Sequence, residues 1–442
     1  MIKEQSMKKI ELSKRKVIFY YLIAICVLYF VYYFLQVLVD GKYFMSIFPI
    51  VSDNTFMDHF NSVNDAKYDP YNDKFSNYPA MACLIYKAFL AMVPAEFRGG
   101  DGFALRNTQT AMLPFIIYVV FIIWFIQMIV YKKSLLENNS KILFSVIVLL
   151  STPMIFTLER GNLILLSFVL TMFFAFYFES ENKVLRELAF IALAIAAGIK
   201  IYPAIFGFLL LKRKRIKETV RLVLYGIIAF VVPFFYYDGF KSLKSMINAL
   251  GYMTNYSDVY GYGINISLYN IIETFGIIFN VKMSDTLIVC ISGVVIGLLF
   301  IGFFVLKKRW QELLCITLIL IFFPKTNYYY AMIFILIPFI EFLNNCQEKQ
   351  EKWSFVEYIG LAIFAIIVIP WASNLIPIFV GYKFPVSYTM LFYYLALCWL
   401  ALLLLGEGVR VFSQKKGKIC EMILFSGAGI FSVLTVVTAM LR

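Results

Sequence analysis

Residues 187–217 read ELAFIALAIAAGIKIYPAIFGFLLLKRKRIK, an apolar run that is interrupted at Lys200 and Pro203 and ends in basic residues. As one helix, Glu187–Leu211 would cross a bilayer and leave the basic cluster outside, against the preference of such loops for the cytosol. A hairpin broken at Pro203 places the cluster inside. Neither arm then spans about 30 Å of hydrocarbon. The tip is therefore expected below the outer surface, where irregular backbone needs protein or a water-filled cavity beside it.

The composition of the whole chain agrees with this stretch. Of its 442 residues, 62% are hydrophobic and only 15% are charged, whereas an ordinary soluble domain has about 25% charged residues. A soluble globule of this size could not hide so much apolar surface, and a disordered chain needs low hydrophobicity. We therefore predict an all-α polytopic membrane protein that forms a single integral membrane domain over residues 1–442.

Apolar runs that suit membrane helices recur along the chain. The first follows a basic tail, residues 1–16, and has no small-residue cleavage site after it, which favours an anchor over a signal peptide. With the N-terminus in the cytosol, nearly all of the net charge of +13 falls on inner segments, so topology explains it and no nucleic-acid partner is needed. We predict about 12–13 spans: Val17–Val39, Thr110–Tyr131, Ile142–Leu158, Asn162–Phe178, Glu187–Lys200, Pro203–Leu211, Thr219–Tyr236, Asp285–Leu306, Glu312–Phe323, Tyr328–Phe342, Phe355–Trp371, Thr389–Leu405 and Cys420–Leu441.

Two long outer loops, residues 40–109 and 238–283, interrupt the spans, and connections of this length usually carry function. The first contains an apolar stretch, Tyr78–Val93, that we interpret as an interfacial helix. It also carries acids, most of them typical of solvated turns. One carboxylate near a cationic pocket would serve as a general base, and spacing alone does not say which. The acids are Asp53, Asp58, Asp65, Asp69 and Asp73.

Three basic residues, Arg160, Lys200 and Lys325, lie at successive predicted outer hairpin tips. A charged side chain within the membrane costs free energy, so its presence there indicates a function. The alternatives are snorkelling of the two lysines to the interface and an ion pair between Arg160 and Glu159. Three cations at similar depth favour a site for an anion, and a lipid phosphate near the outer leaflet fits best.

Several kinds of site have no support in the sequence. His59 is the only histidine and the seven cysteines are scattered, so no metal-binding cluster is predicted. There is no Walker-type glycine-rich loop and no Asp-x-Asp pair to hold a nucleotide sugar through a metal. We therefore predict no metal-binding residues and no cofactor, and the sequence leaves metal dependence open.

Five short motifs follow one another between about residues 40 and 340. Together they resemble glycosyltransferase family 87, enzymes of the GT-C membrane fold that use polyprenyl-phosphate sugars. This chain departs from the family pattern where His59 is inserted, where Ala80 replaces a proline and where Tyr329 replaces a histidine. The motifs are Asp58-His59-Phe60 with Tyr68-Asp69-Pro70-Tyr71 and Tyr78-Pro79, Arg160-Gly161-Asn162-Leu163, Gly198-Ile199-Lys200-Ile201-Tyr202-Pro203, Asn265-Ile266-Ser267-Leu268, and Pro324–Tyr330.

The resemblance implies an inverting glycosyltransferase of the plasma membrane with its active site on the outer face. Its donor is a polyprenyl-phosphate monosaccharide, and the sequence identifies neither the sugar nor the acceptor. The heavy use of Ile, Phe, Tyr, Lys and Asn is typical of an AT-rich bacterial genome, so the expected acceptor is a glycan or lipid-linked acceptor of the cell envelope. Asp58 is then the catalytic base, while Arg160, Lys200 and, more weakly, Lys325 bind the donor phosphate. Further candidates for substrate binding are Asp53, Tyr68, Tyr71, Tyr78, Asn162, Tyr202, Tyr256, Tyr260, Tyr262, Asn265, Ser267 and Tyr329, where the tyrosines also suit an interfacial belt.

Two other functions stay open on the sequence. A transporter or flippase for a lipid-linked sugar also needs outer cations and broken helices, although it needs no specific carboxylate. A polysaccharide polymerase or ligase tends to have arginine-rich outer loops. Arg98 and Arg106 are the only arginines of the first loop and the second has none, which argues against that class.

Overall fold

The computed structural model describes residues 2–39, 55–74, 76–260, 265–349, 353–370, 377–380, 384–412 and 417–440. These residues are mostly α-helical. The helices are α1 (Ile2–Leu38), α2 (Met57–Asp65), α3 (Ala80–Ala91), α4 (Gly102–Arg106), α5 (Gln109–Lys133), α6 (Asn138–Leu150), α7 (Thr152–Arg160), α8 (Ile164–Tyr177), α9 (Lys183–Ile199), α10 (Phe208–Lys212), α11 (Ile216–Val231), α12 (Phe240–Tyr260), α13 (Leu268–Ile278), α14 (Asp285–Val305), α15 (Arg309–Phe322), α16 (Leu336–Glu348), α17 (Phe355–Val368), α18 (Tyr388–Phe412) and α19 (Gly417–Met440).

Shorter elements complete the described part of the chain. Strands β1 (Pro377–Val380) and β2 (Phe384–Ser387) form an antiparallel hairpin in which Pro377 lies opposite Ser387. The 3-10 helices are Ala95–Phe97, Tyr202–Gly207, Val232–Tyr236 and Tyr329–Ile335.

The helices confirm an all-α polytopic membrane protein. Within the described residues, six helices are long and apolar enough to cross a membrane, and α6 with α7, bent by 43°, makes a seventh if the pair is one span. Every predicted apolar segment overlaps a helix. The larger count of 12–13 spans stays a prediction, because it relies on shorter helices. The six are Lys14–Leu38, Gln109–Lys133, Ile216–Tyr236, Asp285–Val305, Tyr329–Glu348 and Thr389–Val411.

The predicted break in the hairpin is present. Helix α9 ends at Ile199, Lys200 is extended with φ −137° and ψ 127°, and the 3-10 helix Tyr202–Gly207 leads into α10. Pro203 lies in the first turn of that 3-10 helix, where its missing N–H costs nothing. A Cβ on Gly198 would lie 2.8 Å from the carbonyl oxygen of Ala229. This glycine therefore lets α9 approach α11 closely, as small residues do between membrane helices.

The chain divides into two compact units. The Asp58 unit comprises Ser52–Ile129 and Phe156–Tyr256, and the Lys325 unit comprises Met1–Val51, Val130–Ile155 and Ser257–Arg442.

In the Asp58 unit, a buried aromatic and aliphatic core joins the short helices of the first loop to the longer ones. It includes Phe60 and Val63 of α2, Tyr86 of α3, Phe115 of α5 and Leu163. The described part of the first loop therefore contains helices α2, α3 and α4 joined by turns, and α3 matches the helix predicted at residues 78–93. Its location at the membrane surface stays a prediction, as do the outer positions of residues 40–109 and 238–283.

The Lys325 unit is built around α15. Every residue from Trp310 to Phe322 is buried, although α14, α16 and α18 each leave some residues exposed. All three of these helices pack against α15. A helix that is apolar on all sides is expected at the centre of a bundle rather than against lipid.

Candidate active site

Asp58 is held at the start of α2 by an unusual backbone. The preceding residue, Phe56, is left-handed with φ 61°, a conformation that costs a non-glycine residue about 1–3 kcal/mol and clusters at functional sites. Its N–H donates to the carbonyl oxygen of Glu159 at 2.6 Å, which ties the beginning of α2 to the end of α7. Asp58 therefore lies in the first helical turn, where the backbone N–H groups favour a negative charge.

Each oxygen of Asp58 has a partner from the second motif. Arg160 Nη2 donates to Asp58 Oδ1 in an ion pair, and Asn162 Nδ2 donates to Asp58 Oδ2 at 3.2 Å. Both charged side chains are largely covered, with 23% of Arg160 and 19% of Asp58 exposed. Arg160 is thus paired with Asp58, whereas the carboxylate of Glu159, the partner considered from the sequence, accepts no hydrogen bond among the described residues.

Gly161 explains why Arg160 and Asn162 reach the same carboxylate. It has φ +68°, and a Cβ here would lie 3.1 Å from the Cβ of His59 and 3.2 Å from the ring of Phe115. Only glycine adopts this conformation readily in so little space. The chain therefore turns sharply at Gly161 and presents the side chains on both sides of it to Asp58.

Lys200 and Tyr78 complete the arrangement. Lys200 Nζ lies 4.2 Å from the centroid of the Tyr78 ring, and Tyr78 Oη accepts a hydrogen bond from Asn162 Nδ2 at 3.1 Å. Burial and the charge of Asp58 raise the pKa of Tyr78, so its phenol stays protonated. Asp58 also attracts the Lys200 ammonium. We call these five residues, Asp58, Tyr78, Arg160, Asn162 and Lys200, the carboxylate–cation cluster.

The other candidates of the first loop have different surroundings. Tyr68 is exposed and stacks under Lys74 Nζ at 4.9 Å. Tyr71 is buried, and its hydroxyl donates to the carbonyl oxygen of Tyr78 at 2.8 Å, so it supports Tyr78. Asp69 accepts hydrogen bonds from the N–H groups of Tyr71 and Asn72, which form the predicted turn.

Among the remaining candidates, Tyr202 begins the 3-10 helix that follows Lys200. Outside the described residues or side chains lie Asp53, Tyr256, Tyr260 and Tyr262.

In the Lys325 unit, the fourth and fifth motifs form one connection. Ser267 Oγ donates to the carbonyl oxygen of Lys325 at 2.8 Å, and Asn265 Oδ1 accepts from the Asn327 N–H at 3.0 Å. Lys325 Nζ lies 4.9 Å from the Tyr269 ring centroid. Asn265 and Ser267 therefore order the Lys325 backbone, and Tyr329 is buried with its ring 4.9 Å from that of Tyr393. The phosphate-binding role of Lys325 stays a prediction.

His59, the residue inserted into the first motif, is a core residue. Only 1% of it is exposed, and neither ring nitrogen has a hydrogen-bond partner among the described residues. Burial lowers its pKa to about 3, so the imidazole is neutral near pH 7 and carries no proton for the reaction. The surrounding rings, with centroids 4.4–5.8 Å away, are those of Phe60, Tyr86, Phe89 and Phe115.

His59 should make the protein acid-sensitive. Its pKa is about 3 in the fold and about 6.5 in an unfolded chain, so between these values the unfolded state takes up the proton first. Protonation of His59 alone should lower the free energy of unfolding by about 2 kcal/mol from pH 8 to pH 5. Above pH 7 this group should have almost no effect on the free energy of unfolding. In His59→Phe, thermal unfolding in detergent at both pH values should show a smaller acid shift. An equal shift in both proteins would contradict this.

A polar pocket beside the cluster has no counterpart in the sequence predictions. It lies in the Asp58 unit, and Ser62, Asp65 and Tyr86 line it together with Tyr78. Asp58, Ser62 and Asp65 follow one another at helical spacing, i, i+4 and i+7, which brings them to one face of α2. That spacing is the signal that would have revealed the pocket, because it separates these polar residues from the buried Phe60 and Val63.

Comparison with known proteins gives one family. A model of glycosyltransferase family 87 matches residues 88–324, more than half of the chain. The matched residues include Arg160, Asn162 and Lys200, whereas Asp58 lies before them and Lys325 directly after them. No curated protein matches the chain.

Proposed function

Because the chain belongs to glycosyltransferase family 87 and is a multi-pass membrane glycosyltransferase, we propose that its donor is a monosaccharide linked to polyprenyl phosphate. The acceptor is a glycan or glycolipid of the cell envelope, and transfer inverts the anomeric configuration. In this proposal the protein is a GT-C-type enzyme of the plasma membrane, with a cytosolic N-terminus and the reaction at the outer face. The asymmetric distribution of its basic residues supports this orientation.

The observation that carries the proposal is the carboxylate–cation cluster, in which one carboxylate is fixed beside two cations and an amide. Asp58 takes the proton from an acceptor hydroxyl, and that oxygen attacks the anomeric carbon on the face opposite the phosphate. The bond from the anomeric carbon to the phosphate oxygen breaks, and its electron pair leaves with the phosphate. One base suffices, because a phosphate leaves without protonation by a general acid.

Arg160 and Lys200 stabilise the charge that develops on the leaving phosphate, which is usually the largest electrostatic contribution to such catalysis. The guanidinium of Arg160 carries five N–H donors in a rigid fork, so it can hold Asp58 and still offer donors to a phosphate. Lys200 supplies a compact charge next to the ring of Tyr78. Arg160 and Lys200 then position the phosphate, and Arg160 also positions the base. The anomeric carbon lies between the phosphate and the base.

The decisive experiment is turnover of the donor. Purified protein in liposomes is incubated with synthetic polyprenyl phosphates that carry different single sugars, together with a membrane glycolipid extract as acceptor. We expect release of sugar-free polyprenyl phosphate from one donor, dependent on acceptor, with a product of inverted configuration by NMR. A transporter or flippase would leave every donor intact while moving it between leaflets, and that result would overturn the proposal.

A further inference from the structure

The polar pocket of the Asp58 unit has a volume of about 280 Å³. This is just below the usual range for ligand-binding sites, about 300–1,000 Å³, and suits one hexose ring better than an oligosaccharide. The pocket lies between α2, the turn that follows it, α3 and the end of the 3-10 helix at residues 232–236. Its main lining residues are Ser62, Asp65, Lys74, Asn77, Tyr86 and Tyr237.

The pocket is connected to the carboxylate–cation cluster through helix α2 and Tyr78. Ser62 is about one helical turn from Asp58, about 6 Å along α2. Tyr78 belongs to both, since it lines the pocket and its hydroxyl accepts a hydrogen bond from Asn162. A ring held in the pocket would therefore lie within reach of the base and of the phosphate-binding cations.

The lining has the chemistry that a neutral, hydroxyl-rich ring needs. Asp65 accepts hydrogen bonds, Lys74 donates them, and Asn77 does both. Asp65 and Lys74 pair with each other at 3.2 Å and remain half exposed, so hydroxyl groups can join their hydrogen bonds without any charge being stripped of its partner. Tyr78, Tyr86 and Tyr237 also line the pocket, and the apolar face of a tyrosine ring suits the C–H face of a sugar.

Tyr86 gives an independent indication of a ligand. Only 2% of it is exposed, and its hydroxyl has no hydrogen-bond partner among the described residues. The side chain of Ser62 and the backbone of Leu163 both lie near this hydroxyl, outside ordinary hydrogen-bonding geometry. Leaving a buried hydroxyl without a partner costs about 1–3 kcal/mol, which a hydroxyl of a bound sugar would recover.

We propose that this pocket binds a single hexose ring of a substrate, either the acceptor ring that presents its hydroxyl to Asp58 or the ring carried by the donor. The inference rests on the proposed function and adds the residues that select the sugar. Both rings have the same hydrogen-bonding chemistry, and kinetics distinguish them.

Two variants test the pocket. Asp65→Asn removes the charge at constant size, and Ala66→Phe places a ring inside the pocket, which Ala66 lines. The matched controls are Asp101→Asn, which keeps an oxygen to cap α4, and Ala91→Phe, which adds the same bulk at the exposed end of α3. Thermal unfolding in detergent verifies the fold of all four.

The assay measures KM and kcat with the turned-over donor and with octyl glucoside, octyl mannoside and octyl galactoside as acceptors. Both pocket variants should raise one KM about tenfold, the effect of about 1.4 kcal/mol, and leave binding of sugar-free polyprenyl phosphate unchanged. A raised acceptor KM assigns the ring to the acceptor, and a raised donor KM assigns it to the donor. If neither KM changes in either folded variant, the pocket does not bind a sugar.

The two proposals fail separately. If the wild-type protein turns over no donor, the proposed function fails, and the pocket is then tested by saturation-transfer NMR with methyl hexosides. A signal that Ala66→Phe abolishes and Ala91→Phe retains supports a sugar pocket. No signal, or equal signals in the wild type and both variants, contradicts it.

Discussion

Asp58→Asn should reduce sugar transfer by about 10²–10⁴-fold, the usual contribution of a general base, in a protein that still folds and binds its donor. Asparagine has the size of aspartate and keeps one oxygen that can accept from Arg160, so the contacts that hold the start of α2 are largely retained. The amide cannot take a proton from the acceptor hydroxyl. The loss should therefore appear in kcat, with the affinity for donor changed much less.

The measurement pairs release of polyprenyl phosphate with the donor dissociation constant and the unfolding temperature. Asp101→Asn is a suitable control, because it makes the same change in the same unit and asparagine caps a helix as well as aspartate does. Full activity of Asp58→Asn would remove the base from the mechanism, and Asp53, the other early acid of the first loop, would be examined next.

Much of the fold could be predicted, because a long run of apolar residues directly indicates a helix in the membrane. Each predicted apolar segment overlaps a helix, and the break beside Pro203 follows from the chemistry of proline together with the basic cluster at residues 212–217. Helix α2 could not be predicted in this way. Its polar residues and the acids around it indicated a loop, whereas its helical structure depends on packing of Phe60 and Val63 against a core that includes Phe115, 55 residues from Phe60.

The candidate site was predicted as separate parts and not as a cluster. The acids of the first loop and the cations Arg160 and Lys200 could both be recognised from the sequence. The contact between Asp58 and Arg160, which are 102 residues apart, depends on the left-handed backbone at Phe56 and Gly161, and sequence patterns do not specify those conformations. For Tyr71 the structure shows contacts that the sequence did not predict: its ring is buried, and its hydroxyl donates to the carbonyl oxygen of Tyr78. A role of Tyr71 in sugar binding stays a prediction.

Lys200→Ala should weaken donor binding by about 10- to 100-fold, the effect expected when a hydrogen bond to a charged group worth about 1.5–3 kcal/mol is lost. The affinity for sugar-free polyprenyl phosphate should fall by the same factor, because the ammonium is assigned to the phosphate and not to the sugar. Isothermal binding measurements with both lipids in detergent give the two ratios directly.

Lys87→Ala is the matched control, because Lys87 also lies over a tyrosine ring, with Nζ 5.1 Å from the centroid of Tyr236, and belongs to the same unit. Removing it deletes one cation and its cation–π contacts with Tyr236 and, at 6.0 Å, Tyr237, so any general effect of charge on a phosphate lipid would appear in both variants. If donor affinity is unchanged in Lys200→Ala, this residue does not bind the phosphate. If only the affinity for the sugar-bearing lipid falls, Lys200 binds the sugar instead. Arg160 would then be the one cation of the cluster that contacts the leaving phosphate.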